Sequence, residues 1–402
     1  MPLKKILLTV LTLLFIFGCR VSEKKQQGIL SIDPKTSKQI HQIDSLIQQL
    51  VFDKHTAGVS FGIQVDDSAP FIASYGIADI EDNIKVNNNT LFNIASITKP
   101  FTALGIGILV QENKLSFEDT IDKIFPDFPN GNKITIYQLL SHTSGIPETW
   151  MGGLPEDIPS DWAIESNPHL ILQKMNNPSL FESGTKYSYS SSGYLLLGEI
   201  IEQLTGQSYQ DFIKQRILKK FGATESFIEE KGMERTNLWS KGYGISITDS
   251  LKNEKSFFKH DFSAYNLKSF GGLKSNPSDL LKFTKALFDD KIVKENILNE
   301  MISYAKTANG NYVYNELYFP SGYQPPKLPE HLEKNGYGLG FSLMTTYSVP
   351  VIWHSGGMPG YNAVWAHFPN SNTTLVMCAN TDNGLIPEYE SIMKICSKIV
   401  DK

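Results

Sequence analysis

Residues 96–110 read SITKPFTALGIGILV, and the architecture of the chain turns on them. Phe101 to Val110 is apolar nearly all round, which predicts a helix buried at the centre of the fold instead of one lying on its surface. Pro100 is at ease only in a first turn, so the helix is expected to begin at Ser96. That places Ser96 at the positive end of the helix dipole, beside backbone N–H groups without intrahelical partners, with Lys99 one turn later on the same face. A hydroxyl within reach of an amine is a nucleophile and base pattern. A plain capping serine is the alternative reading of the same residue. The spacing recurs at Ser22, Ser183, Ser256, Ser303 and Ser391, but only Ser96 opens a long apolar helix.

Outward from this stretch, Ile40, Ile43, Ile47, Leu50 and Val51 recur at helical spacing between Ser37, an expected N-cap, and Phe52. Gly58–Val65 alternates, Asp66-Asp67-Ser68 turns the chain, and Phe71–Ile77 returns, a hairpin. Gly58-Val59-Ser60-Phe61-Gly62 matches a nucleophile-elbow pattern, but no helix follows it, so Ser60 reads as a mid-strand residue. Towards the other end, Val349–Trp353, Tyr361–Phe368 and Thr373–Ala379 are strand-like, and Pro387 starts a last helix bearing Ile392, Ile395, Cys396 and Ile399. The middle is mostly helical, with Tyr194–Leu204 stopped by Gly206 and a helix from Pro277 to Phe288 capped by Asn276.

The fold class that follows is α/β (α+β): an antiparallel five-stranded sheet flanked by N- and C-terminal helices, with an inserted mostly helical domain. The sheet is expected from about 36–80 and 337–402 and the helical subdomain from about 95–300, within one domain over 36–402. Stretches 148–180, with Trp150 and Trp162, and 302–336, with Tyr304, Tyr312, Tyr314, Tyr318 and Tyr323, fit neither part and read as substrate rims or surface excursions.

The 402 residues are 41% hydrophobic and 20% charged, as in a folded globular protein, and a net charge of −5 gives no footprint for nucleic acid. Cys19, Cys378 and Cys396 are too few and too scattered for a disulfide framework or zinc cage, and the eight histidines lack ligand spacing, so no metal or other cofactor is expected. Lys4 and Lys5 precede an apolar run from Ile6 to Phe17, too short to span a bilayer, and Gly18-Cys19 follows. Residues 1–18 therefore read as a lipoprotein signal peptide and 19–35 as a polar tether. Cys19 is the expected lipidation site, which would anchor an exported protein to the cell envelope. Phe17 departs from the small residue usual there, and a plain secreted protein is the alternative.

From about Gly58 to Asn380 the chain resembles the serine β-lactamase and D-Ala-D-Ala carboxypeptidase superfamily, on the class C side with its esterase and D-aminopeptidase relatives. The segments that carry the resemblance are TLFNIASITKPFTA, KLSFEDTIDKIFPDF, ITIYQLLSHTSGIP, GTKYSYSSSGYLLLGEIIEQLTG, FGGLKSNPSDLLKF, GYGLGFSL and WHSGGMPGYNA, in family order. The resemblance implies an antiparallel sheet with an α domain and a serine acyl-enzyme formed on a small peptide, ester or β-lactam. It makes Ser96 the nucleophile, Lys99 its partner and Tyr189 the proton shuttle. Ser191 stands where an asparagine commonly contacts the substrate amide, and His354-Ser355-Gly356 stands in place of Lys-Thr-Gly. The N–H groups of Ser96 and Gly357 would form an oxyanion hole. Whether Lys99 or Tyr189 is the base stays open, since either needs a large pKa depression. With His354 in place of lysine, carboxylate recognition should weaken and return below about pH 6.5, which predicts a poor penicillinase. The competing reading is a non-hydrolytic penicillin- or peptidoglycan-binding sensor lipoprotein.

Overall fold

The computed structural model describes residues 33–148, 179–249, 254–260, 264–313 and 332–399. The leader, Cys19, the tether up to residue 32, Trp150, Trp162, Tyr314, Tyr318 and Tyr323 lie outside those residues. Among the described residues no helix is long and apolar enough to cross a membrane.

Helix α1 (Pro34–Phe52) starts a turn before the expected Ser37, because the Asp33 carboxylate accepts hydrogen bonds from the N–H groups of Lys35 and Thr36 and Pro34 sets the first helical φ. Strands β1 (Gly58–Val65) and β2 (Phe71–Asp79) form the hairpin, and β3 (Ile84–Lys85) pairs along its edge. After β4 (Phe92–Asn93) come the central helix α2 (Thr98–Gln111), the short α3 (Ile136–Leu140), then α4 (Ser191–Thr205) and α5 (Tyr209–Arg216). Gly206 ends α4 in the left-handed region, as its place in the sequence suggests. Next are β5 (Phe227–Ile228), the hairpin of β6 (Tyr243–Asp249) and β7 (Glu254–Lys259), α6 (Lys268–Gly271), β8 (Leu273–Ser275), α7 (Pro277–Phe288) and α8 (Glu295–Met301). The chain closes with β9 (Leu332–Tyr337), β10 (Ser342–Thr346), β11 (Val349–Met358), β12 (Tyr361–Phe368), β13 (Thr373–Ala379) and α9 (Ile386–Ile399).

The main sheet has eight strands in the order β3-β2-β1-β13-β12-β11-β10-β9, not five, and every neighbouring pair is antiparallel. The five expected strands form its centre. The other three lie towards its edges: β3 is two residues long, β9 carries few apolar residues, and β10 is a short run. Both faces are covered, which is why β13 is buried at every position. Val364, Ala366, Phe368, Leu375 and Met377 face α1 and α9, whereas Ala363, Trp365, Val376 and Cys378 face the helical layer around α2, α4 and α7. Cys378 and Cys396 therefore belong to opposite sides of the sheet, and both are free thiols. Ser60 is buried in β1 with its hydroxyl 2.9 Å from that of Ser74, a strand residue and not an exposed nucleophile.

β10 pairs with β11 only as far as Trp353. Beyond it, on that edge, the turn that carries Ser96 comes up against β11. A Cβ at Gly356 would sit 2.0 Å from the Ile94 carbonyl oxygen and 3.1 Å from the Ser96 nitrogen, so only glycine permits this approach.

Candidate active site

Helix α2 is buried from Thr98 to Leu109, the reason its sequence is apolar on every side. Its regular turns start at Thr98, two residues later than expected, after a 3₁₀ turn over Ala95–Ile97. Ala95 sits at φ 45°, a left-handed conformation that costs a non-glycine residue about 1 kcal/mol or more. Its N–H donates to Asn93 Oδ1 at 2.7 Å, and its carbonyl accepts from Thr98 Oγ1 at 2.7 Å. Held from both sides, the turn presents Ser96, which alone between Leu91 and Leu109 is not fully buried.

Lys99 is completely buried, its Nζ 3.0 Å from Ser96 Oγ and donating to the Phe270 carbonyl at 3.1 Å. The ammonium also stands 4.8 Å from the ring centre of Tyr189, which lines the same cleft as Ser96. Burial lowers the Lys99 pKa to about 7, against a smaller upward pull from Glu148. Burial acts oppositely on Tyr189 and raises its pKa, the nearby Ser96 hydroxyl offsetting only part of the effect. At neutral pH the amine is thus the group that can be free of its proton, and the phenol keeps its own.

Ser96, Tyr189, Ser191 and Gly357 line one cleft of about 220 Å³, with Leu267, Phe270 and Met358 among its apolar walls. Ser191 opens α4, and Gly357 faces open space on β11. A larger cavity of about 390 Å³, between the ends of β1 and β12 and helix α7, holds none of these residues.

His354 departs from expectation. It is 3% exposed and lies behind the cleft wall, where its Nδ1–H donates to the Ser355 carbonyl at 2.7 Å and its Nε2 accepts from the Tyr337 hydroxyl at 2.9 Å. Burial, reinforced by Lys99, lowers its pKa to about 3, so it is neutral at pH 6.5 and has no cation to offer there. Ser355 is exposed on the next position of β11, and Gly356 packs against the Ser96 turn, so neither of them lines the cleft.

Three residues that sequence patterns did not single out belong to this assembly. Glu148 lines the cleft, and its Oε2 accepts the Ser191 N–H at 2.7 Å. His142, at φ 58°, accepts the Ser190 N–H on Nδ1 at 3.1 Å and packs its ring 4.2 Å from that of Tyr189. Tyr337, from β9, holds His354. His142 and Tyr337 lie inside the quoted segments ITIYQLLSHTSGIP and GYGLGFSL, and Glu148 opens the stretch 148–180, but no pattern assigns any of the three a role.

The Beta-lactamase family model matches residues 43–389. The chain belongs to the beta-lactamase family. Within it, penicillin-binding protein 4* of Bacillus subtilis is 30% identical over 336 residues, covering 81% of this chain and 68% of the relative. Protein flp of Staphylococcus aureus is 27% identical over 362 residues, 88% of this chain and 65% of that protein, so the chain spans about two thirds of these relatives' length. The octameric penicillin-binding protein homologue from Pyrococcus abyssi superimposes with a TM-score of 0.72 at 25% identity, covering 90% of this chain and 77% of that one. A D-amino acid amidase from Ochrobactrum anthropi shares the family's fold with a TM-score of 0.70 at 23% identity, covering 89% and 99%.

Proposed function

We propose that this member of the family is a serine hydrolase that forms an acyl-enzyme on Ser96 from an ester or amide. The observation that carries the reading is the fully buried Lys99 amine, its pKa lowered to about 7, 3.0 Å from a serine hydroxyl at the edge of a cleft. In the first step neutral Lys99 takes the hydroxyl proton as Oγ bonds the substrate carbonyl carbon. Tyr189, kept as a phenol, gives its proton to the leaving oxygen or nitrogen as that bond breaks, and is reprotonated from the Lys99 ammonium. In the second step water adds to the ester carbon, its proton passes to Lys99, and Ser96 leaves with a proton regained. The N–H groups of Ser96 and Gly357 serve as donors to the oxyanion. His354 takes no part in proton transfer in this scheme; it holds the strand beside the nucleophile.

The cleft lining includes no cationic side chain among the described residues, which supports poor turnover of carboxylate-bearing penicillins. We further propose, from the sequence at Cys19, that the enzyme works outside the inner membrane on a lipid tether. Turnover of a chromogenic ester by the soluble domain, abolished by Ser96→Ala, is the expected result. A β-lactam adduct that persists without product release, and no turnover of esters or amides, would instead make the protein a sensor.

A further inference from the structure

We infer that the cavity of about 390 Å³ at the end of β12 remote from the cleft is a binding site for a neutral saccharide of one or two rings. It lies between the β1–β2 turn, the β12–β13 turn and the C-terminal end of α7. On β12, His367 stands about 17 Å along the strand from Asn362, which pairs with Gly357 of the cleft. Saccharide and acyl substrate would be held at separate places, so the inference does not depend on acylation of Ser96. The volume falls within the range of about 300–1,000 Å³ for small-molecule sites.

Three features of the lining set the class of ligand. The first is an open aromatic surface. Phe288, the last residue of α7, stacks on His367 with ring centres 4.4 Å apart and planes 28° from parallel, yet stays 37% exposed. The stacking fixes the ring, and its open surface can take the C–H groups of a pyranose, which are drawn to the electron-rich face of an aromatic ring. The second is a buried ring nitrogen without a partner. His367 is 3% exposed and its Nδ1 bonds the Thr374 hydroxyl at 3.0 Å, whereas Nε2 has no partner among the described residues. Burial lowers the His367 pKa to about 4, so at neutral pH the ring is an uncharged hydrogen-bonding group that suits a hydroxyl.

The third is charge balance. Lys285 lies 3.1 Å from Asp67 and 3.7 Å from Asp289, and Asp289 is also 3.2 Å from Lys291. Of the carboxylates on the lining, only Asp66 lacks a cation among the described residues. The paired carboxylates keep lone pairs for hydroxyl protons while the field stays near neutral, which disfavours a strongly charged occupant. Asn372 adds a donor and an acceptor, and the Gln64 amide nitrogen donates to the Ser68 carbonyl, which leaves its oxygen for a ligand. Dense donors and acceptors beside one aromatic surface match a polyhydroxylated ring better than an amine or an acid.

The test titrates the full-length protein with cellobiose, maltose and diacetylchitobiose, read by calorimetry and by NMR. At least one should bind saturably, with NOEs from its C–H protons to the Phe288 ring. Its affinity should fall about two- to tenfold in Phe288→Ala, the range of one aromatic contact, and by a similar factor in Asn372→Gly, the range of one neutral hydrogen bond. Both residues are exposed, and glycine keeps the left-handed backbone at position 372, where φ is 46°. No saturable binding of any of the three sugars up to 50 mM overturns the inference, as does an affinity unaltered in both variants with native circular dichroism. Should the variants not fold, a sugar bound to the native protein without NOEs to Phe288 overturns it as well. Phenethylamine is the control for a cation: binding of the amine at Phe288 with none of the sugars makes this an organic-cation site and also overturns it.

Discussion

Replacing Lys99 by methionine should make the protein inactive and, at neutral pH, more stable. Lys99 is fully buried, and its pKa falls from 10.5 to about 7 on folding. Between those values the unfolded chain binds a proton that the folded protein does not, so this group's contribution to stability rises with pH across that window. Weighing the two protonation equilibria, a buried lysine with these pKa values costs about 4 kcal/mol at pH 7 and about 1 kcal/mol at pH 10. Methionine is unbranched and fills the same space without that cost. It cannot donate to the Phe270 carbonyl or reach the Ser96 hydroxyl with a proton, a loss of about 2 kcal/mol that does not depend on pH. The variant should then be about 2 kcal/mol more stable than the native protein at pH 7 and about 1 kcal/mol less stable at pH 10. Urea unfolding of both proteins at the two pH values gives the comparison. The hydrogen-bond loss cancels in the change between them, so a stability difference that stays constant from pH 7 to 10 refutes the claim that burial depresses Lys99.

With the deprotonated amine as the proposed base, kcat/KM on an uncharged ester should rise with pH through about 7, and at pH 6 should be about a tenth of its plateau. A carboxylate-bearing substrate should gain nothing below pH 6.5 relative to an uncharged one, since the His354 pKa lies at about 3; a relative gain would restore that histidine to the cleft. Tyr189→Phe should cost about 10² to 10⁴ in kcat/KM for amides and alkyl esters but under tenfold for a p-nitrophenyl ester, whose leaving group needs no proton; equal losses would remove the phenol from leaving-group protonation. Gly356→Ala should lower stability by about 2–4 kcal/mol, because its Cβ falls 2.0 Å from the Ile94 carbonyl oxygen, while Gly357→Ala meets open space and stays within about 0.5 kcal/mol in thermal melts.

The parts of the fold that could be read from the sequence are those whose signal is local. Alternation along Gly58–Val65, the strand-like run Tyr361–Phe368 between its turns, the Asn276-Pro277 start of α7 and the Gly206 stop of α4 each record a backbone constraint within a few residues. The edge strand β9, Leu-Glu-Lys-Asn-Gly-Tyr, carries no alternation to read, because its first four positions are not buried. The site divides the same way. Ser96 and Lys99 lie one turn apart, so their spacing can be read directly, whereas Tyr189 and Ser191 are reached only through the family resemblance of the segment that holds them. Glu148 meets Ser191 across 43 positions of chain and Tyr337 meets His354 across 17, contacts made by tertiary packing alone. His354 was expected at the cleft from its place in a strand motif; that place says nothing of burial, and burial determines its charge.

Reaction of the protein with a fluorophosphonate, followed by mass mapping of the modified peptide, tests the centre of this account most directly. The account predicts one adduct, on Ser96, formed faster as pH rises through about 7 and absent from Ser96→Ala. An adduct on any other residue, or labelling undiminished in Ser96→Ala, contradicts it.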